Sequence, residues 1–487
     1  MLNDKKDKSW LSSLINYGKW YFISSVLTKG LSVLLLPIYT RYLSPEDFGV
    51  LQSLNSIAIF LPILLSCSLD SAIARYYHNL KHDNAKLAIM FSTIFWFVTV
   101  YGIAFLVLFF LTSSLWITPL LKISVYPLAY LAFIPALLNQ LVQLGRAFLE
   151  QSLETRKITI LDVLSAIING GISILLLIDF GYGVEARLIG IFISSVFLLF
   201  CYTHWFYKHH LLQFVFSYKY LYEYLRYSFP LIPAMAGSWI ASLSDRLVIA
   251  KYTSLYAVGI YSLAYQLSYI LYIMGDACTR VLGPLTMSGL VERKEETKRK
   301  ISRLALVLLA LMLQTNLCVF LFSKEILSFV VGASYQDSYS LIPVLGFVFI
   351  IGMQQRFPMQ IISFYKKTWI ISLGSILMGG INLLCNLIFV SMYGYLAAAY
   401  VTVFSSLFYA CWIFFFSQKM EYINYNISKI LFLLVVYFTF TLLGGYLDNG
   451  IFSWITVLMK IFIAILVFVI FGLIIGKNQV LNFFYRK

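Results

Sequence analysis

The sequence predicts an all-α integral membrane protein with about fourteen transmembrane helices. Of its 487 residues, 61% are hydrophobic and only 12% are charged, a balance that a soluble domain could not bury. Apolar runs recur along the chain, among them "MFSTIFWFVTVYGIAFLVLFFL" and "KIFIAILVFVIFGLIIG". Each approaches the roughly 20 residues with which a helix crosses about 30 Å of hydrocarbon. The alternation typical of membrane β-strands is absent.

Charged residues and Gly or Pro breaks divide these runs into spans and predict where each span begins. The predicted helices begin near Trp20, Phe48, Leu87, Ile117, Ile158, Val184, Phe229, Tyr256, Ile301, Ser340, Thr368, Tyr395, Ile430 and Phe452.

The basic residues predict the topology. Most of the 36 lysines and arginines lie at the N-terminus and in alternate connections, as expected when those segments are cytoplasmic. Both termini are therefore expected to be cytoplasmic. The net charge of +15 is then a topology signal with some attraction to anionic lipid headgroups, and we expect no nucleic-acid partner. The opposite connections, such as "TSSLWIT", are short, which argues against an extracytoplasmic catalytic domain.

Motifs of metal, redox or catalytic chemistry are not found in the sequence. The six cysteines lie singly in apolar runs, without C-x-x-C or metal-ligand spacing. His78 and His82 have i, i+4 spacing but no further ligand nearby, so we expect no metal site. Without a Walker, G-x-S-x-G or H-E-x-x-H sequence, we expect neither an enzyme nor a bound cofactor. We also expect no removable signal peptide.

An internal repeat predicts two related lobes. "RYLSPEDFGVLQS" from Arg41 matches "KYTSLYAVGIYSL" from Lys251 at an offset of 210, and "FGYGVEA" from Phe180 matches "YGYLAAA" from Tyr393 at an offset of 213. Two independent loops thus give nearly the same period. Because six spans is an even number, lobes of six helices have the same orientation and form a parallel repeat about an axis normal to the membrane.

The repeat sets the expected domain boundaries. The N-terminal six-helix lobe is 1–226, the C-terminal six-helix lobe is 227–420, and 421–487 supplies helices 13 and 14. Parallel lobes with a cavity between them are a transporter architecture.

Three stretches resemble a known family: "KGLSVLLLPIYTRYLSPEDFGVLQSLNSI", "SLDSAIARYY" and "SLSDRLVIAKYTSLYAVGIYSLAYQ". They are similar to the polysaccharide transport branch, the Wzx-type oligosaccharide flippases, of the MOP/MATE exporter superfamily. The resemblance implies a carrier in the bacterial inner membrane. Such a carrier moves an undecaprenyl-pyrophosphate-linked oligosaccharide repeat unit to the outer leaflet by alternating access, for cell-surface polysaccharide biosynthesis. The implied partners are that lipid-linked oligosaccharide, membrane lipids, a coupling ion (proton or sodium), and the polymerase and glycosyltransferases of the pathway.

Three cations inside predicted spans are candidates for binding an anionic cargo: Lys29, Arg246 and Arg356. A charge at the bilayer centre costs roughly 2.5 to 3.5 kcal/mol on insertion scales, so such residues normally face a polar interior. Lys29 shares a helix face with Ser25 and Ser32. A guanidinium offers a phosphate a planar fork.

The neighbouring acids raise the question of pairing. Adjacent residues on a helix diverge by about 100°, so we expect Asp245 and Arg246 to have separate partners. An interhelical salt bridge is the alternative role for Arg246. Asp276 and Arg280, at i, i+4, are expected to pair. Acids that could couple to an ion or act as a gate are Asp70, Asp162, Asp245 and Asp276.

Tyrosines at steps of four, four and three form one face of the eighth span. Flat rings with hydroxyls suit sugar stacking, although in a chain with 35 tyrosines packing and interface anchoring are the simpler explanation. These residues are Tyr261, Tyr265, Tyr269 and Tyr272.

Two other functions compete with the flippase. An ion-coupled small-molecule or multidrug antiporter of the same superfamily should prefer lumen acids for cationic drugs, whereas here central bases outnumber central acids. A membrane glycosyltransferase or polymerase would need carboxylates on a sizeable outer loop, and the short outer loops argue against it.

Overall fold

The computed structural model describes residues 20, 23–24, 27–31, 34–123, 125–292, 295–446 and 454–475. An N-terminal segment (20–42) is helical wherever it is described, and short 3₁₀ helices cover Phe229–Leu231 and Ala333–Leu341. The α-helices are α1 (Pro45–Ser66), α2 (Leu69–Leu80), α3 (Asn84–Leu121), α4 (Leu128–Gln151), α5 (Thr155–Ile178), α6 (Val184–Lys208), α7 (Tyr218–Ser228), α8 (Ile232–Tyr252), α9 (Leu255–Glu292), α10 (Glu295–Leu321), α11 (Ser323–Val330), α12 (Ile342–Gln354), α13 (Arg356–Phe364), α14 (Thr368–Tyr393), α15 (Tyr395–Met420), α16 (Ile427–Tyr446) and α17 (Trp454–Ile475).

The predicted fold class, an all-α multi-pass membrane protein, is confirmed. Twelve helices in the described part of the chain are long and apolar enough to cross a membrane. The segment 334–364, which includes α12 and α13, counts as one of them. The two remaining predicted spans correspond to the N-terminal segment and to α8, which carries Asp245, Arg246 and Lys251. The described residues thus show twelve such helices, and the total of fourteen stays a prediction.

The predicted start of the fourth span, near Ile117, is wrong. Residues "TSSLWIT", taken for an outward loop, lie inside α3, and the next helix begins only at Leu128. Their hydroxyls are satisfied within the helix: Thr112 donates to the carbonyl of Leu108 (3.1 Å) and Ser113 to that of Phe110 (2.7 Å). Hydroxyls of Ser and Thr can donate to a carbonyl one turn earlier in the same helix. A helix in an apolar environment can therefore continue through these residues.

The repeat motif near residue 44 begins a helix for clear local reasons. Ser44 caps α1 by accepting from the backbone N–H of Asp47 (3.1 Å), and the Asp47 carboxylate accepts from the Ser44 backbone (3.2 Å). Pro45 occupies the first helical turn, where its missing N–H costs nothing. The helix ends at Cys67 and Ser68, which both have left-handed backbone (φ 49° and φ 58°), an uncommon conformation for residues other than glycine.

The chain divides into two compact units. Unit 1 consists of Met1–Ala236 and Ser254–Gly259, and unit 2 of Gly237–Thr253 and Ile260–Lys487. In unit 1, the rings of Phe91 and Phe206 stack with centroids 4.0 Å apart.

Unit 1 contains a close contact between the two copies of the repeat motif. A β-carbon on Gly49 would overlap the carbonyl of Leu255, and one on Gly259 would overlap the carbonyl of Pro45. The two contacts are equivalent under the offset of 210, since Pro45 corresponds to Leu255 and Gly49 to Gly259. Glycine is therefore required at both positions for the first turns of α1 and α9 to approach each other.

Polar contacts attach the last two helices to the core of unit 2. Asn316 on α10 donates to the hydroxyl of Tyr437 on α16 (2.7 Å). Gln314 donates to the carbonyl of Ala464 on α17 (2.9 Å). Lys460 on α17 forms an ion pair with Glu325 on α11 (2.7 Å). In a membrane the hydrophobic effect does not favour contact between helices, so hydrogen bonds and ion pairs of this kind help to hold them together.

Candidate functional site

Unit 2 contains a partly open cavity of about 620 Å³, which lies within the range of roughly 300–1,000 Å³ seen for small-molecule sites. Its walls come from α8, α9, α12, α13, α14 and α15. The polar and aromatic side chains that line it include Ser238, Ser242, Tyr265, Tyr272, Phe349, Gln355, Arg356, Gln360 and Thr402.

Arg356, the first residue of α13, is a cation in the wall of this cavity. Its Nη1 lies 2.8 Å from Oδ1 of Asp276 on α9. Its Nη2 donates to the hydroxyl of Tyr272 (3.3 Å). The arginine side chain is 30% exposed and the aspartate 12%, so the guanidinium is the more accessible partner. The predicted Asp276–Arg280 pair cannot be compared, because the Arg280 side chain lies outside the described residues.

Asp245 and Arg246 pair with each other, and the prediction that they would have separate partners is wrong. Arg246 Nη1 lies 3.0 Å from Asp245 Oδ1, with the two side chains only 4% and 2% exposed. The same nitrogen donates to the carbonyl of Ser242 (3.0 Å). The long arginine side chain bends back along α8, and this flexibility overcomes the 100° divergence between neighbours on a helix.

The tyrosine face of α9 connects these two ion pairs. Tyr261 donates its hydroxyl to Asp245 Oδ2, and the Arg246 guanidinium lies over the Tyr265 ring, 4.5 Å from its centroid. Asp276, which forms the ion pair with Arg356, lies fifteen residues after Tyr261 on the same helix.

The four tyrosines predicted to stack on sugar differ in accessibility. Tyr265 and Tyr272 line the cavity, whereas Tyr261 is fully buried. Tyr269 stacks on Tyr272 with centroids 4.8 Å apart. Phe349 meets Tyr265 edge-on at 5.1 Å. Packing therefore accounts for part of the face, and the sugar-stacking prediction remains for Tyr265 and Tyr272.

Two glutamines in the cavity wall were not predicted as site residues. The side-chain oxygens of Gln355 and Gln360 are buried and have no hydrogen-bond partner among the residues that the structure describes. Both residues line the cavity. The sequence signal was present, since "QQRFPMQ" places several amides inside an apolar span, but only an arginine was singled out there.

A buried amide and hydroxyl network adjoins the cavity. Asn382 donates to the hydroxyl of Ser405 (3.1 Å), and Asn386 donates to the Asn382 side-chain oxygen (3.0 Å). Asn382 also contacts Thr402 (3.5 Å), which lines the cavity. The signal in the sequence is the pair of asparagines at i, i+4 within an apolar helix, since polar residues at such depth are rare.

Unit 1 holds the other predicted acids and Lys29. Asp162 pairs with Arg146 (3.1 Å) and accepts from Ser24 of the N-terminal segment (3.1 Å). Asp70 lies in the first turn of α2, where the helix N-terminus favours a carboxylate. Lys29 is half-buried in the N-terminal segment; Ser25 and Ser32, which were predicted to share its face, lie outside the described residues.

A further cation in unit 1, Arg187, was not predicted as a site residue. It donates to the side-chain oxygen of Asn169 (2.6 Å) and to the hydroxyl of Tyr39 (3.1 Å). These contacts join α5, α6 and the N-terminal segment. Within the described ranges, no group of three His, Cys, Asp or Glu residues is arranged to hold a metal ion.

The amino-acid sequence is similar to a protein family and to individual membrane proteins. The profile of the family described as "Polysaccharide biosynthesis protein" matches residues 38–340. The succinoglycan biosynthesis transport protein ExoT of Rhizobium meliloti is 27% identical over 250 residues, which cover 50% of this chain and 48% of that protein. This chain thus aligns with about half the length of that relative. An uncharacterized membrane protein of Haemophilus influenzae is 24% identical over 289 residues, 59% of this chain and 68% of that protein.

Solved structures share the fold. The lipid II flippase MurJ in an inward closed conformation superposes with a TM-score of 0.73 and 17% identity, over 96% of this chain and 100% of that chain. The MATE transporter VcmN of Vibrio cholerae has a TM-score of 0.56 and 13% identity, over 84% and 99% of the two chains. At these identities the likeness concerns the fold, and it agrees with the MOP/MATE architecture expected from the sequence.

Proposed function

Because this chain belongs to the polysaccharide biosynthesis protein family, we propose that it is a flippase for a lipid-linked oligosaccharide. The cargo would be an undecaprenyl-pyrophosphate-linked repeat unit, moved from the cytoplasmic to the outer leaflet by alternating access. A curated relative is named as a polysaccharide transport protein and a structural neighbour as a lipid flippase, and both names support this choice.

The observation that carries the proposal is the cavity of unit 2. Arg356 stands in a wall that also carries hydroxyl, amide and aromatic groups. A guanidinium suits a phosphate oxygen, and the remaining groups suit a sugar. Among the described residues that line the cavity, none is a carboxylate, so the lining lacks the charge that would attract a cationic drug.

The predicted cations take different roles in this proposal. Arg356 contacts the anionic part of the cargo, because it lies at the cavity surface. Arg246 has a structural role, because its side chain is only 4% exposed, pairs with Asp245 on the same helix and lies over the Tyr265 ring of α9; this pair lies within α8 and is not the interhelical salt bridge considered from the sequence. Lys29 contributes positive charge in the N-terminal lobe. The acids proposed for gating or for coupling to protons or sodium are Asp70, Asp162, Asp245 and Asp276.

The proposed setting is the bacterial inner membrane with both termini in the cytoplasm. Glycosyltransferases on the cytoplasmic side would assemble the lipid-linked repeat unit. A polymerase on the opposite side would consume it.

Reconstitution tests the function directly. The probe is a polyprenyl-pyrophosphate-linked trisaccharide with a nitrobenzoxadiazole label on its sugar, placed in both leaflets of liposomes with purified protein. Dithionite bleaches the label only in the outer leaflet, so flipping raises the bleached fraction above that of protein-free vesicles. Arg356→Ala should lose most of the activity and Arg356→Lys much of it, because an ammonium lacks the planar fork. Arg303→Ala, at an exposed arginine of the same unit, is the matched control.

The antiporter alternative predicts a different outcome. Ethidium transport driven by an imposed proton or sodium gradient, with bleaching no greater than in protein-free vesicles, would replace the flippase proposal.

A further inference from the structure

Two residues in the wall of the unit 2 cavity carry buried hydrogen-bond acceptors without a described partner. The Gln355 and Gln360 side-chain oxygens have no partner among the described residues, although both residues line the cavity. Leaving buried acceptors unsatisfied costs free energy, and native proteins rarely keep them without a reason. Since both oxygens are buried, a ligand rich in hydroxyl donors would satisfy them once the amide groups rotate toward the cavity.

The charge of the cavity wall favours an uncharged ligand. Arg356 is the charged residue among the described lining residues, and Asp276 lies 2.8 Å from its Nη1. The Asp276 carboxylate thus partly compensates the positive charge of Arg356. Apart from the partly exposed guanidinium, which can contact a phosphate of the cargo, the described lining is uncharged and suits the neutral part of the cargo.

Aromatic rings and hydroxyls complete the wall. Tyr265 and Tyr272 line the cavity, and the Phe349 edge meets each of them, with centroids 5.1 Å and 6.2 Å apart. Ser238 and Thr402 add hydroxyl groups. A pyranose ring has an apolar C–H face and a rim of hydroxyls, which matches a wall of flat rings beside amides and hydroxyls.

We therefore propose that this cavity is the saccharide subsite of the cargo and that Gln355 and Gln360 determine its preference for neutral sugars. The inference rests on the proposed function only for identifying the saccharide as part of a lipid-linked cargo. The glutamine oxygens accept hydrogen bonds from sugar hydroxyls, the tyrosines flank the ring, and Arg356 contacts the phosphate to which the first sugar is attached.

The test uses the full-length protein in nanodiscs and soluble sugars that carry neither lipid nor phosphate. The probes are maltotriose and chitotriose, with trigalacturonate as the acidic comparison, and binding is followed by saturation-transfer NMR and intrinsic fluorescence. Wild-type protein should bind at least one neutral trisaccharide more tightly than trigalacturonate. The double variant Gln355→Met/Gln360→Met keeps the side-chain volume but removes the acceptors, and should weaken neutral-sugar binding roughly tenfold or more, since two hydrogen bonds are lost.

A matched control separates binding from packing. Gln314 in the same unit also has a side-chain oxygen without a partner in the described residues, but it is not among the cavity-lining residues. Gln314→Met should leave sugar binding unchanged. The thermal stability of the double variant should equal or exceed that of wild type, because two unsatisfied buried acceptors are removed.

The outcomes distinguish the subsite from the proposed function. Sugar binding that depends on the glutamines, without any flipping of the lipid-linked probe, would sustain the subsite and refute the flippase. Normal flipping together with undiminished sugar binding by the double variant would refute the subsite and sustain the flippase. The subsite is also refuted if wild-type protein binds none of the neutral sugars, or if the double variant loses binding only in step with lost stability.

Discussion

Gly49 and Gly259 occupy equivalent positions of the internal repeat, and each makes the same contact with the other's helix. A side chain on Gly49 would meet the carbonyl of Leu255, and one on Gly259 would meet the carbonyl of Pro45. The reciprocity shows that the sequence echo reflects a local two-fold relationship. Backbone lies against backbone at this point, so neither contact can yield by a change of rotamer.

Alanine at either glycine should therefore destabilise the protein, and by similar amounts. We expect Gly49→Ala and Gly259→Ala to lower the melting temperature in detergent and the yield of monodisperse protein. Gly472→Ala is the control, since nothing lies within 4 Å of a β-carbon there; the helix preference of alanine should stabilise that variant by roughly 0.5–1 kcal/mol. Full stability in either of the first two variants would refute the reciprocal contact.

Replacing one residue of the Asp245–Arg246 pair should lower stability more per substitution than replacing both. Asp245→Asn or Arg246→Gln alone strands a buried charge, at a cost of roughly 3–5 kcal/mol. The double variant should lose clearly less than the sum of the two, which a double-mutant cycle on thermal stability will show. Lys86→Ala, at a solvent-exposed ion pair, should change stability little. Additive losses at Asp245 and Arg246 would mean that the two side chains do not interact.

The same pair predicts how transport responds to a conservative change. In Arg246→Lys, an ammonium must replace contacts with Asp245, the Ser242 carbonyl and the Tyr265 ring, so folded yield should fall. Transport per folded molecule should stay near that of wild type, in contrast to Arg356→Lys. A strong loss of specific transport in Arg246→Lys would instead assign this arginine to the cargo.

Lys460 and Glu325 should respond unequally to neutralisation. The lysine is only 1% exposed and the glutamate 20%. Glu325→Gln leaves the Lys460 ammonium buried near the beginning of α17, whereas Lys460→Met leaves a partly exposed carboxyl that can bind a proton. Circular-dichroism melting should therefore show the larger loss for Glu325→Gln. Equal losses would contradict this account.

The predicted membrane topology can be tested by locating tags on either side of the membrane. Tags at the N-terminus, at the C-terminus and in the connection between α9 and α10 should all face the cytoplasm, as the basic residues indicate. Protease protection in inverted and right-side-out vesicles reports the side of each tag. A single tag on the opposite side would rule out an even number of spans.

The fold was largely predictable from the sequence because its causes are local. Helices predicted to begin near Val184, Thr368 and Tyr395 begin at those residues, since charges and glycines mark the membrane boundaries. The error at Ile117 arose where serine and threonine satisfy their hydroxyls within the helix. Composition carries no information on that local bond.

The site was less predictable because it depends on pairing between distant residues. Asp276 and Arg356 are 80 positions apart, and no period in the sequence brings them together. Arg246 could be identified as costly in a membrane, but its partner depended on the path of a flexible side chain. Gln360 was not predicted as a site residue because its amide carries no charge. That its oxygen lacks a described partner could be seen only in the structure.

Three ion pairs described within unit 2 include a side chain that is at most 12% exposed, and each joins one acid to one base: Asp245 with Arg246, Asp276 with Arg356, and Glu325 with Lys460. Moving one elementary charge through the membrane potential changes its energy by about 2.3 kcal/mol per 100 mV. A neutral pair that moves as a unit does no such work. These three pairs should therefore add little to any voltage dependence of transport, whereas the charge of the cargo or of a coupled ion would add to it.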